Sequence, residues 1–375
     1  MKILLLSAYD AASHRRWHLG LRRMFAADDW TVLTLPARYF SWRVRGNSLS
    51  WAFAERELLE RDYDLLLVTS MVDLSALRGF VPALARIPTL VYFHENQFDY
   101  PASAQQFSSI EPQLLNVYTA LAADWLLFNS EYNRRSFLDG ANAMLGKFPD
   151  CVPAGLVEQL ENSSEVLPVP LEPGCYRPRA PGSTGELQLV WNHRWEYDKG
   201  PDRLLALLRL VEAAQLVVTV HVVGQQFRSA PEAFREIREL LGSSQYLRPG
   251  RWGFIESEED YRQLLATADV VLSTAIHDFQ GLSVLEAVAA GCLPLVPDRL
   301  CYGEWFPSSF LYPSRLDDAA SEAEGVLQRV QRLCEAKLAK ALPPAPDVSR
   351  FSQLQLCEAY RAIFAKTAIG QPTTE

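Results

Sequence analysis

Two carboxylates, Asp278 and Glu286, are the residues of this sequence whose spacing most clearly suits chemistry. The apolar run 268–274 predicts a buried parallel strand before them, and the apolar spacing over 282–290 predicts a helix. Asp278 then follows the carboxyl end of a strand, and Glu286 lies about one turn into the next helix. The backbone amides predicted to open at that helix start are those of Phe279, Gln280, Gly281 and Leu282.

Such an arrangement suits a sugar nucleotide. Carboxylates accept hydrogen bonds from ribose and hexose hydroxyls, and amides at a helix start donate to a diphosphate. The alternative is an ordinary strand–helix junction with a capping Asp278 and a solvated Glu286. For this motif alone that alternative is favoured, so the interpretation needs support from other parts of the chain.

Two basic side chains supply that support after another predicted strand. Residues 189–191 are apolar, a helix is predicted from Pro201, and the turn between them reads NHRWEYDKG and contains Arg194 and Lys199. A guanidinium fork and an ammonium group are what a diphosphate leaving group requires. Alone they are explained as well by exposed loop cations. Together with two carboxylates at another strand end of the same predicted sheet, they favour the functional interpretation.

The elements that must position these residues alternate between strands and helices in two series, 2–128 and 188–297. Such alternation predicts an α/β fold with parallel sheets covered on both faces, and ligands bind outside the carboxyl ends of the strands. We predict two doubly wound domains with ligand between them. The boundaries are an N-terminal, acceptor-side domain over 1–170, a Pro/Gly-rich linker over 171–186, a C-terminal nucleotide-sugar domain over 187–345, and a C-terminal helix within 346–375 that packs back on the first domain.

Composition excludes several classes of protein. A chain of 375 residues exceeds one usual core, and its net charge of −9 argues against a general nucleic-acid coat. Six cysteines without C-x-x-C or metal-ligand spacing indicate reduced thiols and a cytoplasmic protein. No apolar segment is long enough to predict a membrane span.

The D-x-D motif at Asp62 and Asp64 precedes a predicted strand, so we interpret it as a turn and expect no essential metal. The sequence does not indicate an oligomeric state.

The motifs NHRWEYDKGPD and HDFQGLSVLEA resemble those of the retaining glycosyltransferases with GT-B architecture. More narrowly, the segments 92–97 (YFHENQ), 128–130 (FNS) and 34–37 (TLPA) resemble the tRNA-queuosine α-mannosyltransferases, over residues 1 to about 310. The resemblance implies two Rossmann-like domains facing a central cleft. It also implies transfer of mannose from GDP-mannose to the cyclopentenediol of queuosine in a tRNA anticodon.

This chain departs from the family pattern in places. Aspartate stands where the first glutamate of the E-x7-E motif is usual, and the first strand–helix turn, often with a Gly-Gly pair, ends here in Ser13. We nevertheless assign Ser13 to the donor. In a retaining transfer His94, directly after a predicted strand, can orient or polarise groups near the anomeric carbon. Asn129 and Ser130 end another strand and can bind phosphate or acceptor, or simply cap the following helix.

The acceptor is expected to lie against polar and basic residues of the first domain. Seven arginines but only two aspartates occur between positions 14 and 45, and aromatic residues interleave with the last of them, a composition that suits unpaired bases and phosphates. The predicted acceptor contacts are Arg38, Trp42, Arg43, Arg45, Asn47, Glu95, Asn96 and Gln97. An ordinary amphipathic loop is the alternative for residues 38–47. The donor base is less defined, and Phe254 is one aromatic on which it can rest.

The favoured function is therefore a tRNA-queuosine mannosyltransferase with GDP-mannose as donor and no cofactor. One alternative is a GDP- or UDP-sugar transferase acting on a saccharide, lipid or small molecule. A nucleotide-sugar-binding protein without catalysis is less favoured, because sensing alone needs no stabilisation of a leaving group by Arg194 and Lys199. An NAD-dependent oxidoreductase is disfavoured, because the first turn, residues 7–13, lacks G-x-G-x-x-G.

Overall fold

The structure is a computed structural model that describes residues 1–100, 109–177, 185–227 and 230–369. It divides into two compact units, of which the second comprises Leu171–Ser352. The first comprises Met1–Pro170 together with the C-terminal helix Gln353–Ile369.

A six-stranded parallel sheet in the order β2-β1-β3-β4-β5-β6 forms the centre of the first unit as described. Helices cover both faces, so the strands β3, β4 and β5 are buried at every residue. The elements are β1 (Lys2–Asp10), α1 (Ala12–Met24), β2 (Asp29–Pro36), α2 (Phe40–Ala54), α3 (Arg56–Leu59), β3 (Leu65–Thr69), α4 (Leu74–Phe80), β4 (Thr89–Phe93), α5 (Glu111–Leu121), β5 (Trp125–Phe128), α6 (Glu131–Leu145), α7 (Leu156–Asn162) and β6 (Ser164–Val166).

The second unit contains another six-stranded parallel sheet, in the Rossmann order β9-β8-β7-β10-β11-β12 among its described residues. The strand order reverses between β7 and β10, the position where such sheets bind ligands. The elements are β7 (Leu187–Trp191), α8 (Pro201–Ala213), β8 (Val218–Val223), α9 (Ala233–Ser243), β9 (Leu247–Gly253), α10 (Glu258–Thr267), β10 (Val270–Leu272), α11 (Leu282–Ala289), β11 (Leu293–Pro297), α12 (Tyr302–Trp305), β12 (Leu311–Tyr312) and α13 (Ala319–Leu338).

The last helix, α14 (Gln353–Ile369), packs in the first unit through buried aromatic residues. The Tyr360 hydroxyl accepts from Trp17 Nε1 at 3.1 Å and donates to the Pro168 carbonyl at 3.0 Å. The ring of Phe364 lies 5.5 Å from that of Phe25. These contacts tie α14 to α1 and to the segment after β6.

The proline-rich segment after residue 170 is only partly described. Leu171 pairs with Ser352 in a parallel bridge, and its amide donates to the Phe351 carbonyl at 2.7 Å. Residues 171–177 thus belong to the second unit. The prolines at 178 and 181, which the sequence suggested as a connector, lie outside the described residues.

The structure differs from the sequence-based elements in several places. Residues 38–47, for which a loop was the alternative, belong mostly to helix α2, and α13 was not predicted at all. Helix α2 has buried Val44 and Trp51 but exposed Trp42 and Phe53, so its apolar residues do not form one stripe. Strand β1 also extends through Asp10, which shortens the predicted turn.

Two further findings concern the chain as a whole. All six cysteines are free thiols. Among the residues that the structure describes, we find no helix with both the length and the apolar character needed to cross a membrane.

We predict that Tyr360→Phe destabilises the first unit. The change removes the buried acceptor of Trp17 Nε1, and an unsatisfied buried donor costs about 1–3 kcal/mol. The melting temperature should fall by several degrees in calorimetry. Tyr118→Phe, at an exposed tyrosine of the same unit, is the control and should melt like wild type. Equal melting of all three proteins would contradict the assignment.

Candidate functional site

The loops after β7 and β10 are held together by a close backbone approach. Gly200 has φ +64°, and a Cβ there would lie 2.2 Å from the Thr274 carbonyl oxygen, so glycine is required. The Thr274 hydroxyl donates to the Lys199 carbonyl at 2.9 Å and accepts from Trp191 Nε1 at 2.9 Å. These contacts fix the turn that carries Lys199 against the loop that leads to Asp278.

The predicted cations Arg194 and Lys199 both approach a buried carboxylate, Asp198. The Asp198 Oδ2 lies 3.3 Å from Lys199 Nζ and 3.8 Å from the Arg194 guanidinium. Lys199 is nearly buried, with 8% of its side chain exposed, and donates to the His277 carbonyl at 2.6 Å. Arg194 is 46% exposed and also contacts Glu196 at 2.6 Å. The structure thus brings the two cations together at one carboxylate.

Sequence reasoning missed Asp198, although it adjoins Lys199. Burial alone would raise the pKa of its carboxyl, but Lys199, His277 and Arg194 hold that pKa well below its usual range. The Asp198 carbonyl also accepts from the amides of Ile276 and His277, at 2.9 and 3.1 Å. Asp198 therefore joins the two strand-end loops through both its side chain and its backbone.

Asp278 lies at the end of the same loop and is held by three groups. Its Oδ1 accepts from the Gly281 amide at 3.0 Å, its Oδ2 accepts from the Tyr302 hydroxyl at 3.1 Å, and Lys199 Nζ lies 3.9 Å away. Burial would raise the pKa of Asp278, but Lys199 and then His193 lower it, so the carboxyl is ionised.

The expectation that all the amides of residues 279–282 open onto a ligand is wrong for Gly281. Its amide donates to the Asp278 side chain in the turn that precedes α11. The Phe279 ring is buried against His277, and the Gln280 carbonyl accepts from Trp305 Nε1 at 3.1 Å. Leu282 is the first residue of α11. Donor contacts of Phe279, Gln280 and Leu282 stay predictions.

Glu286 belongs to a polar chain at the ends of β7 and β10. The Tyr261 hydroxyl donates to Glu286 Oε2 at 3.3 Å and accepts from Asn192 Nδ2 at 3.0 Å. Asn192 also donates to the Ser283 carbonyl at 2.8 Å. Phe254, the predicted base contact, follows β9 and is exposed.

His193, which sequence reasoning did not select, is buried beside these groups. Burial lowers the pKa of His193 to about 4, with the Asp278 charge opposing and the Lys199 charge assisting. Its Nε2 is buried and has no hydrogen-bond partner among the residues that the structure describes. The second unit therefore presents a neutral imidazole, ionised carboxylates and two cations at the reversal of its strand order.

The first unit has a separate cluster around His94, the residue after β4. The His94 ring stacks on His14 with 4.1 Å between ring centroids and meets the edge of Trp17 at 4.8 Å. His14 Nε2 lies 3.1 Å from Glu95 Oε2. Ser13, the predicted donor contact, is half-buried in the first turn of α1. Glu95 was predicted to touch the acceptor, but the structure places its carboxylate on His14.

Four other predicted contacts are bonded within the unit and serve as scaffold. Asn129 donates to the His94 carbonyl at 2.8 Å, and Ser130 caps α6 by accepting from the Asn133 amide. Asn96 donates to Asn133 and Ser136 of α6. Asn47 donates to the Met71 carbonyl and accepts from the Asp73 amide. These side chains are completely or almost completely buried. Gln97, which is half-buried, donates to Met71 Sδ at 3.7 Å.

The basic and aromatic residues of α2 divide between surface and interior. Arg38 and Trp42 are exposed, whereas Arg43 is buried and donates to the Pro36 carbonyl at 3.3 Å. Arg45 lies between Asp73 and Glu111, at 3.1 and 3.0 Å. The Trp42 ring lies directly over Gly46, where a Cβ would come within 2.3 Å of it. The exposed residues are therefore Arg38, which precedes α2, and Trp42 and the paired Arg45 of α2 itself.

The D-x-D motif lies at the amino ends of strands. Asp64 Oδ2 accepts from the Lys2 amide at 2.7 Å, and the Asp64 amide donates to the Lys2 carbonyl at 2.8 Å. Asp64 therefore joins the beginnings of β1 and β3, as expected for the turn interpretation.

A family model and a relative that covers most of the chain carry the same family name. Residues 2–171 match the family model described as tRNA-queuosine alpha-mannosyltransferase N-terminal. The tRNA-queuosine alpha-mannosyltransferase of Drosophila melanogaster is 34% identical over 325 residues, which cover 83% of this chain and 83% of that protein. The lipopolysaccharide glucosyltransferase WaaG of Escherichia coli (strain K12) is 33% identical over 104 residues, 28% of this chain and 25% of that protein.

Solved structures agree on the fold. Anabaena HepE in complex with UDP-glucose superimposes with a TM-score of 0.66 at 15% identity, covering 98% of this chain and all of that one (100%). The N-terminal domain of Candida albicans trehalose-6-phosphate phosphatase gives 0.68 at 11% identity, covering 98% and 97%. At these identities the likeness shows the fold alone, and it confirms the expected α/β GT-B class.

Two histidines of the second unit should make the protein less stable in acid. His193 and His221 have pKa values lowered to about 4, in both cases mainly by burial. The unfolded chain binds their protons near pH 6.5, so stability falls as the pH drops from about 6.5 toward 4. His14, whose pKa is raised because Glu95 outweighs its burial, acts in the opposite sense.

The measurement is the melting temperature between pH 7 and pH 5 for wild type and His221→Gln. The variant removes one half-buried neutral imidazole, so its melting temperature should depend less steeply on pH. Equal slopes in the two proteins would show that His221 titrates normally in the folded state.

Proposed function

The chain belongs to the tRNA-queuosine α-mannosyltransferase family, and we propose that it transfers mannose from GDP-mannose to queuosine in a tRNA anticodon, with retention of anomeric configuration. The enzyme is a hexosyltransferase. The observation that carries the proposal is the 34% identity to the Drosophila melanogaster enzyme over 83% of both chains. The described sites of both units supply suitable chemistry. A cytoplasmic location stays a prediction.

The second unit supplies groups for a nucleotide diphosphate. Arg194 is half exposed at a strand's carboxyl end, and Lys199 lies behind it with Asp198 between them. A guanidinium can bind two phosphate oxygens at once, whereas an ammonium acts as a point charge. As the sugar leaves, negative charge develops on the diphosphate, and fixed cations in a poorly solvated site stabilise it. We assign Arg194 and Lys199 to that role.

The carboxylates are suited to hydroxyl groups. Asp278 is ionised and fixed by Gly281 and Tyr302, so it can accept from a hexose hydroxyl in one orientation. Glu286, bonded to Tyr261, can accept from the ribose. His94 is assigned to the sugar because its buried Nε2 has no hydrogen-bond partner within the described residues. We propose no protein nucleophile and no cofactor.

For the acceptor, we propose that the exposed part of α2, together with Arg38 just before it, binds RNA. Arg38 can contact phosphate, and Trp42 offers an indole face on which an unpaired base can stack. Arg45 already forms salt bridges with two carboxylates, so we expect it to contribute less to RNA affinity than Arg38 does. The scaffold residue Asn47 and the buried Arg43 support the helix from inside.

A second donor has support from the structural neighbours. Anabaena HepE is described in complex with UDP-glucose, so a UDP-sugar donor is the alternative. Calorimetry with GDP, UDP and GDP-mannose separates the two. The experiment that tests the whole proposal is mass spectrometry of tRNA nucleosides after incubation with GDP-mannose. A mannosylated queuosine is expected, and an unmodified nucleoside with every donor would overturn the proposal.

We predict that Arg194→Ala and Lys199→Ala each lower kcat/KM about 10–100-fold or more. Each charge-assisted contact to phosphate contributes about 1.5–3 kcal/mol, and kcat/KM reports its loss from the transition state. Arg209→Ala removes an exposed arginine of the same unit and is the control. Thermal melting checks that the Lys199 variant folds. Wild-type rates in both variants would remove the diphosphate assignment.

We predict that no divalent metal is essential. Arg194, Lys199 and the start of α11 supply the positive potential that a metal provides in other glycosyltransferases, and Asp64 is engaged by the Lys2 backbone. Turnover should survive EDTA. Loss of turnover with EDTA and recovery with Mn²⁺ or Mg²⁺ would show that Asp62 and Asp64 were misinterpreted.

We predict that changes on α2 weaken RNA binding without weakening donor binding. Arg38→Ala should lower the slope of log K against log salt by roughly 0.7–0.9, the effect of one lost phosphate contact. Trp42→Ala should cost about 1–3 kcal/mol of RNA affinity. Gly46→Ala keeps the indole but displaces it, so it should weaken binding too. Binding of queuosine-containing tRNA is measured at several salt concentrations.

Two controls accompany that experiment. Arg135→Ala removes an exposed arginine of α6 in the same unit and should leave the salt slope unchanged. GDP-mannose binding, measured by calorimetry, should be equal in all variants. If the α2 variants bind tRNA like wild type, the acceptor surface lies elsewhere. If the wild-type protein does not bind tRNA even at low salt, the acceptor is a smaller molecule.

A further inference from the structure

A second histidine stacks on His94 and is bound to a carboxylate. The His14 and His94 rings are 4.1 Å apart with an angle of 30° between their planes. At its edge, His14 Nε2 lies 3.1 Å from Glu95 Oε2. The His14 side chain is 1% exposed and that of Glu95 is 20% exposed. The His94 ring therefore contacts the face of His14, and the carboxylate of the next residue, Glu95, contacts its edge.

Other charged or aromatic groups also surround His94. From α1, His18 lies near and is bound to Asp10 of β1 at 3.1 Å, and Arg15 contacts the same carboxylate at 3.2 Å. The rings of Trp17 and Tyr92 lie 4.8 and 4.7 Å from that of His94. No carboxylate in these contacts is bonded to His94 itself. The carboxylates are paired with His14 and His18 instead.

We propose that His14 and Glu95 form a positioning pair, in which a protonated His14 held by Glu95 keeps the stacked His94 ring uncharged and fixed in orientation. The inference rests on the proposed function, in which His94 contacts the donor sugar. A cation at stacking distance disfavours a second proton on the neighbouring ring, since like charges repel strongly where water is excluded. The uncharged ring can then offer Nε2 as donor or acceptor to a sugar hydroxyl.

The proton affinities of the two rings agree with this geometry. The pKa of His94 is well below its usual value, first because of burial and then because of the His14 and His18 charges. The pKa of His14 is raised: burial opposes this, but the charge of Glu95 and its hydrogen bond outweigh burial. The two pKa values are thus shifted in opposite directions, so of the two stacked rings His14 binds a proton more readily and His94 stays neutral.

The test uses two variants of the full chain, His14→Asn and Glu95→Gln. His14→Asn removes the stacked cation. Glu95→Gln leaves both rings in place but removes the charge that keeps His14 protonated, so it remains informative if the first variant folds poorly. In both, His94 should bind a proton at higher pH. Titration of histidine-labelled protein by NMR measures this directly, and the six histidines of the chain keep the spectrum simple.

The pH dependence of kcat/KM gives the second readout. The acid limb should move to higher pH in both variants, and a tenfold rise in the proton affinity of His94 should lower kcat/KM about tenfold on that limb. The plateau at alkaline pH should change little in Glu95→Gln. A purely structural role would lower the rate equally at every pH. His221→Gln, in the other unit, is the matched control and should leave the acid limb in place.

The two readouts separate failure of the inference from failure of the proposed function. If NMR shows the same pKa of His94 in wild type and both variants, the positioning pair is overturned whatever the activity. If the pKa of His94 rises but wild type transfers no sugar to tRNA, the pair stands as an electrostatic device and the proposed function fails. A raised pKa with an unmoved acid limb would show that His94 does not act in its neutral form.

Discussion

The site of the second unit depends on one buried carboxylate, Asp198. It lies within 4 Å of both Lys199 and Arg194, and its carbonyl binds the backbone that leads to Asp278. A buried ammonium without a partner is expensive, so Lys199 can be this buried only because Asp198 and Asp278 accompany it. The position of Lys199 in turn brings the loops after β7 and β10 together, and Gly200 permits the close contact.

Because of this arrangement, Lys199 and Arg194 have different roles. Lys199 is neutralised by two carboxylates and the His277 carbonyl, so much of its charge organises the protein. Arg194 is half exposed, although Glu196 contacts its guanidinium at 2.6 Å. In the proposed reaction we therefore expect the more exposed Arg194 to contact the diphosphate first, and Lys199 to add its charge from behind while it also lowers the pKa of Asp278. Substitution of Arg194 and substitution of Lys199 should therefore weaken donor binding for different reasons.

The fold, and the placement of candidate site residues at strand ends, could be predicted from the sequence because parallel strands are continuous apolar runs. The apolar runs before His94 and over 189–191 end where β4 and β7 end, which placed His94 and Lys199 in the loops after those strands. Helix α2 was not recognised, because it has no single apolar stripe. The roles of Asn96 and Asn129 were misjudged, because a polar side chain after a strand looks the same whether it faces a ligand or holds the scaffold. His14 and Glu95 are 81 positions apart, so nothing local reveals their pairing.

Hexosyl transfer sets different charge requirements beside the leaving group and beside the sugar. As the bond to the leaving group breaks, the sugar ring becomes positive and the diphosphate becomes negative. Cations therefore belong beside the diphosphate, where we assign Arg194 and Lys199. Groups beside the ring should be neutral or negative, and an uncharged His94 meets that requirement in the proposed reaction. The charge of His14 is compatible with this only because Glu95 balances it at 3.1 Å. The carboxylate of Glu95 thus lets a cation hold His94 without adding net positive charge near the sugar.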